Sequence, residues 1–285
     1  MKLGIFARIF RRPSLDEVLA CVRAHGLTAV QFNLSCAGLD SLPEVLEPSI
    51  CREIHTAFKR YGLEMVAVSG TFNAIHPDFA TRTAGIRRCC QLIRQASLLG
   101  TTTVSLCTGT RDPWDPWRFH PDNSQPAAWH DLLATLDLLL RVAQENQIIL
   151  GIEPEVTNVV DSARQARRLL DECQSRYLKI IFDGANLFHG DNLVRMKDVL
   201  EEAFDLLGRD VVIVHAKDIQ AGDPTQRQPA GTGALDYDTY FRLLKHNGFD
   251  GPVVLHNLDE TEVDSSVKFV RQRAARWYPE LTGGA

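Results

Sequence analysis

The sequence predicts an α/β fold, a single-domain (β/α)8 barrel, on three observations. Short β-branched runs alternate with longer amphipathic segments eight times along 285 residues, with no linker between them. Such alternation implies parallel strands joined by crossover helices, and eight units in a chain of this length match a closed barrel. The first turn, Ala7-Arg-Ile-Phe-Arg-Arg-Pro13, lacks the glycines that an open doubly wound sheet places there.

The strands are expected near residues 2–6, 28–34, 64–69, 102–107, 148–153, 178–183, 211–215 and 252–256. Ser14-Leu-Asp-Glu17 has the spacing of a capping box and opens the first helix, which Gly26 closes; Ser162-Ala-Arg-Gln165 repeats the opening signal. Helical stretches at 49–61, 79–99, 192–207 and 236–247 run into Gly62, Gly100, Gly208 and Gly248, and stretches at 126–145 and 262–277 complete the set. Two connections exceed the common loop length. Thr108–Ser124 follows the fourth strand and carries Arg111, Trp114, Trp117, Arg118 and His120, and Ile219–Gly233 follows the seventh as a Gly-, Pro- and Gln-containing loop.

Composition narrows the function. At 45% hydrophobic and 24% charged residues, with no low-complexity tract, the chain can bury one large core. A formal net charge of −5 argues against nucleic acid or an anionic membrane as the main partner, since either favours a basic face. The apolar start Met1–Phe6 is too short for a signal-peptide core, and no run has the apolar length of a membrane span. Seven cysteines without a CxxC pair fit reduced thiols, so a cytoplasmic location is expected.

Four strands end in residues that bind metals or move protons: Glu153 after Ile148-Ile-Leu-Gly-Ile, Asp183 after Leu178-Lys-Ile-Ile-Phe, His215 after Val211-Val-Ile-Val and His256 after Pro252-Val-Val-Leu. In a barrel these positions meet at the mouth. Two carboxylates and two neutral imidazoles suit one divalent ion, which would polarise a carbonyl or acidify a hydroxyl. One carboxylate at a strand end is often the N-cap of the next helix, but capping does not account for four such residues on neighbouring strands. Lys217 shares a strand face with His215 and is placed to meet a substrate oxygen. Asn186 and His189 follow Asp183, Asn73 and His76 end the third strand, and Trp117, with Trp114, offers a stacking surface, a lid or a subunit contact. Gly231-Thr-Gly233 lacks the lysine of a phosphate loop, and no Gly-x-Ser-x-Gly elbow is present.

Gly151-Ile-Glu153-Pro-Glu155, Phe182-Asp183-Gly-Ala-Asn186-Leu, Val214-His215-Ala-Lys-Asp218, Gly231-Thr-Gly-Ala-Leu-Asp236-Tyr and Gly251-Pro-Val-Val-Leu together resemble the xylose isomerase-like TIM barrel superfamily, in particular its bacterial sugar phosphate isomerase/epimerase group. The resemblance implies one divalent ion, commonly Mn2+ with Zn2+, Mg2+ or Co2+ as alternatives. It also implies ligands Glu, Asp, His and Glu on strands five to eight, the two Glu serving as opposed acid/base groups. Glu153, Asp183 and His215 match the first three positions, while His256 departs from the fourth; Glu260 lies close by in sequence.

The expected function is an isomerase or epimerase of a sugar, keto-sugar or related polyhydroxy carbonyl compound. Glu153 removes a proton beside the carbonyl, and His256 or a water returns it. Substrate contacts are expected from Lys217, Asn186, His189, Asn73, His76 and Trp117. The departure at His256 keeps two rivals open: a lyase that dehydrates an inosose or keto-sugar or cleaves a keto-glycoside, and a barrel that binds sugar or metal without turnover. The expected partner is a small sugar-like molecule, with homo-oligomerisation left open.

Overall fold

The computed structural model describes residues 1–188 and 192–282. Among them, eight parallel strands close into a barrel: β1 (Lys2–Phe6), β2 (Ala29–Phe32), β3 (Glu64–Ser69), β4 (Thr103–Leu106), β5 (Ile149–Ile152), β6 (Leu178–Asp183), β7 (Val211–Gln220) and β9 (Pro252–Leu255). Each pairs with the next, β7 pairs with β9 and β9 with β1, so no edge of the ring is left open. Around it lie α1 (Leu15–Ala24), α2 (Pro48–Arg60), α3 (Phe79–Leu99), α4 (Pro126–Asn146), α5 (Ala163–Cys173), α6 (Met196–Leu207), α7 (Tyr237–His246) and α8 (Val263–Ala274). The main core fills the layer between strands and helices. No helix of the described residues is long and apolar enough to cross a membrane.

One expectation needs correction. The stretch Ile219–Gly233, read from sequence as an irregular loop, is largely a hairpin arm: β7 runs on to Gln220 and pairs antiparallel with β8 (Asp223–Pro229). Its polar sequence gave no alternating apolar signal because the arm packs little apolar surface. A buried carboxylate anchors it instead. Asp218 accepts the backbone N–H groups of Ile219, Gly231 and Leu235 at 2.9, 3.0 and 2.8 Å. The amide of Gly231 is therefore engaged by Asp218.

Helix ends follow the capping logic with local exceptions. Ser14 and Ser162 accept the N–H of Glu17 and Gln165, but the reciprocal capping box forms at Asp259 and Glu262. Gly100 and Gly248 take positive φ as helix ends require, whereas Gly208 keeps right-handed φ and starts a short 3-10 turn.

Inside the barrel, Ala67, Ile181, Ile213 and Val254 form a separate apolar plug. Full burial of each large aliphatic member contributes about 1.5–3 kcal/mol. Side chains two positions apart on a strand share a face, so the residues above Ile181, Ile213 and Val254 are Asp183, His215 and His256. On β5 the plug position is Gly151, where a Cβ would lie 2.8 Å from Ile181 Cγ1, and the residue above it is Glu153. Three aliphatics and one glycine thus form a floor that holds four polar groups at one level.

Candidate metal centre

The ligand atoms of Glu153, Asp183, His215 and His256 all lie within 4.8 Å of one another. Asp183 and His215 are register partners across β6 and β7. His256 follows β9, its N–H donating to Ala216 O, and the chain then turns sharply through Asn257 at φ +55°. Glu153 follows β5, its N–H donating to Leu106 O.

The donor atoms are oriented from behind. His215 Nε2 lies 2.8 Å from Gln31 Oε1 on β2, so the ring presents Nδ1 to the centre. Gln31 thus holds the His215 imidazole in the orientation that a ligand would need. The His256 ring stacks on His215 at 4.8 Å and lies 5.3 Å from Phe6. Asn186 Nδ2 donates to Glu153 Oε1 at 2.9 Å and to Pro154 O at 3.1 Å, and Asp183 Oδ1 accepts from Ala185 N at 3.0 Å.

Asp183 Oδ2, His215 Nδ1 and His256 Nδ1 are buried without a well-formed hydrogen bond; Asp183 Oδ2 faces Lys217 Nζ at 3.0 Å and His215 Nδ1 faces Glu153 Oε1 at 3.2 Å as ion-pair contacts only. Buried polar atoms are ordinarily satisfied, so three unsatisfied ones converging on one point mark a place for a ligand. With a Glu carboxylate beside them they form a hard and borderline donor set that fits a divalent ion, and the cluster is a divalent-metal-binding site.

Lys217, two residues beyond His215, enters the same cage. Its Nζ stands 3.0 Å from Asp183 Oδ2 and 3.9 Å from Glu153 Oε1. Burial disfavours its charge, yet Asp183, Glu153 and Glu155 outweigh that and raise its pKa. Burial likewise opposes a charge on His215, but the adjacent carboxylates raise it to about 9. Burial, with the charges of His215 and Lys217, pushes His256 down to about 3. Burial would raise Glu153 and Asp183, but His215 and Lys217 hold both below the usual carboxylate range.

Without the ion, His215 therefore carries a proton at neutrality that ligation must remove. Apparent divalent affinity is expected to rise by about tenfold per pH unit from neutrality to about pH 9 and then level off, with one proton released per ion bound. Calorimetry in buffers of different ionisation enthalpy counts that proton directly.

Residues 19–273 match the family described as Xylose isomerase-like TIM barrel. The chain belongs to this family. An L-ribulose-5-phosphate 3-epimerase of Shigella sonnei is 24% identical over 226 residues, 79% of this chain and 69% of that protein. A D-tagatose 3-epimerase-like protein superposes with a TM-score of 0.77 at 18% identity, covering 99% of this chain and 100% of that one. The 3-keto-D-glucoside 4-epimerase YcjR of E. coli, in its apo form, gives 0.71 at 20% identity, with 95% and 99% covered.

On this xylose isomerase-like barrel the other expected contacts fall in different places. Asn186 lies beside Glu153. Asn73 has its amide engaged by Thr110 and Ile75, tying the loop after β3 to the loop after β4. Gly109, at φ +79°, permits this approach, since a Cβ there would lie 2.2 Å from Asn73 Oδ1. His76 Nε2 lies 3.2 Å from Pro113 O while Nδ1 accepts from Asp78 N, so both nitrogens serve loop structure. Trp117 is 52% exposed and Trp114 85% exposed on the same long loop. Glu260 pairs with Arg12 at the rim, and His189 lies outside the described residues.

Sequence reasoning passed over three residues. Gln31 carried no local signal, being one polar residue in a buried strand. Glu155 shares alternation with Glu153, and burial raises its pKa with Lys217 and Glu153 as near charges. Arg227, opposite Ile219 in the hairpin, brings Nη2 to 3.8 Å from Glu155 Oε1, a contact visible only once the arm is known to fold back.

Proposed function

We propose that this barrel is a metal-dependent isomerase or epimerase of a sugar, keto-sugar or related polyhydroxy carbonyl compound, working by proton abstraction beside the carbonyl. The observation that carries this reading is the convergence of Glu153, Asp183, His215 and His256 with three buried, unsatisfied donor atoms among them. The activities of the Shigella sonnei epimerase and the keto-glucoside epimerase support it.

Glu153, Asp183, His215 and His256 would hold the ion, and Mn2+ is the metal we assign. When bound, the ion supplies Lewis acidity toward a substrate carbonyl. Glu153 is the base: Asn186 fixes one of its oxygens, and its depressed pKa keeps it ionised to accept the proton. His256 holds no proton at neutrality and serves as ligand alone. We therefore assign proton return to a water at the site. Lys217 and Asn186 border the reacting atoms, and Trp117 with Trp114 lies on the loop after β4.

A base beside a metal-held carbonyl would also serve dehydration, so a lyase is the second reading. A panel of ketoses and keto-glycosides incubated with Mn2+-loaded protein in D2O separates the two. Isomerisation or epimerisation installs one solvent deuterium at a carbon beside the carbonyl without loss of water or aglycone, and dehydration shows that loss. Binding without deuterium uptake across the panel would leave a barrel that does not turn over sugars.

A further inference from the structure

The two oxygens of Glu153 meet unlike surroundings. Oε1 accepts Asn186 Nδ2 at 2.9 Å, stands 3.2 Å from His215 Nδ1 and lies 3.9 Å from Lys217 Nζ. Oε2 takes no hydrogen bond from the described residues, and unlike Asp183 Oδ2 it is not enclosed: the Glu153 side chain is 21% exposed, those of Asp183 and His215 0%. The position of Oε1 is that of a ligand. Two donors each about 2.0–2.2 Å from one ion stand about 2.8–3.6 Å apart at right or tetrahedral angles. His215 Nδ1 lies 3.2 Å from Glu153 Oε1 and 3.6 Å from Asp183 Oδ2, so all three atoms fit one such shell.

Asn186 sets this division. It is 1% exposed and sits in the 3-10 turn Gly184–Leu187 after β6, which Asp183 Oδ1 fixes by accepting Ala185 N at 3.0 Å. Its Nδ2 donates to Glu153 Oε1 and to Pro154 O at 3.1 Å, two acceptors that the nitrogen end alone can serve, while Oδ1 is left buried without a partner. An unpaired buried acceptor is unfavourable, so the amide forgoes one bond to hold the carboxylate. We propose that Asn186 is a positioning residue that divides Glu153 into a ligand oxygen and a base oxygen, Oε1 held toward the ion and Oε2 left facing the substrate. The proton then leaves the carbon beside the carbonyl for Oε2, and the electron pair of the broken C–H bond passes to the carbonyl oxygen. Holding Oε1 also stops the carboxylate from turning both oxygens onto the ion, which would occupy the base. This assignment rests on the metal-site reading above and names its proton-accepting atom.

The test uses Mn2+ alone as the first probe, in crystals of wild type and of Asn186→Leu, a variant of similar size without the donor. In wild type the expected result is Glu153 bound through Oε1 alone at about 2.0–2.2 Å, with Oε2 facing the mouth. In N186L both oxygens are expected on the ion, and calorimetry should show Mn2+ bound at least as tightly as in wild type. Solvent deuterium uptake into any ketose of the panel that wild type labels should fall in N186L by about tenfold to a hundredfold, the effect of a misplaced reacting group, with KM little changed. A residue that merely supported the fold would lower metal affinity and turnover together, and that outcome would overturn the proposal. Wild-type Glu153 bound through Oε2 or through both oxygens would overturn it too, as would an N186L protein with one-oxygen binding and undiminished deuterium uptake. Should N186L fold poorly, the wild-type crystal decides. Failure of the parent reading looks different: the wild-type cage would then take up no Mn2+ at all.

Discussion

Glu153→Gln is expected to lower kcat/KM for any substrate that the barrel turns over by about two to four orders of magnitude, the usual contribution of a positioned general base. The amide keeps the size of the side chain and still offers an oxygen to Asn186 Nδ2, now 2.9 Å away, so the loop carrying Pro154 and Glu155 stays in place. What is lost is the proton acceptor and one negative charge next to His215 Nδ1 at 3.2 Å. Solvent deuterium uptake into bound substrate should disappear with turnover. Retention of deuterium exchange in this variant would remove Glu153 from the proton path.

Asp183→Asn is expected to lower divalent affinity by at least about two orders of magnitude, because the variant removes the most enclosed anion of the cage. Asp183 is 3% exposed, its Oδ2 facing Lys217 at 3.0 Å and His215 Nδ1 at 3.6 Å. Its Oδ1 holds Ala185 N–H, a bond that the asparagine oxygen preserves. The neutral side chain leaves Lys217 and His215 with only Glu153 between them. Removing one member of such a buried charge group costs about 3–5 kcal/mol when the partners stay charged. His215 is expected to answer by giving up its proton, which limits the loss of stability. Mn2+ titration measures the affinity, and thermal melts with and without the ion show whether the fold persists.

The barrel was legible because its signals are local and repeated. Each of the eight barrel strands is a short apolar run, and α3 begins at Phe79 behind the Asp78 cap and ends at Gly100 as punctuation suggests. The four donor residues were legible for the same reason, each being the polar end of an apolar run whose neighbours are fixed by chain order. The outer parts of the site depend on contacts between residues far apart in sequence. Gln31 matters through His215, 184 positions away, and no periodicity announces that pairing. Arg227 reaches Glu155 only because Asp218 ties the hairpin arm down with three backbone N–H groups. Asn73 and His76, polar residues after a strand, have polar atoms that hold loops together.

Everything chemical rests on one ion seated among four side chains delivered by β5, β6, β7 and β9. Anomalous diffraction from a Mn2+-soaked crystal measures this directly. The expected result is a single strong peak per chain at bonding distance, about 2.0–2.3 Å, from Glu153, Asp183, His215 and His256. A map without a peak there, or with its main peak held by other residues, would contradict it.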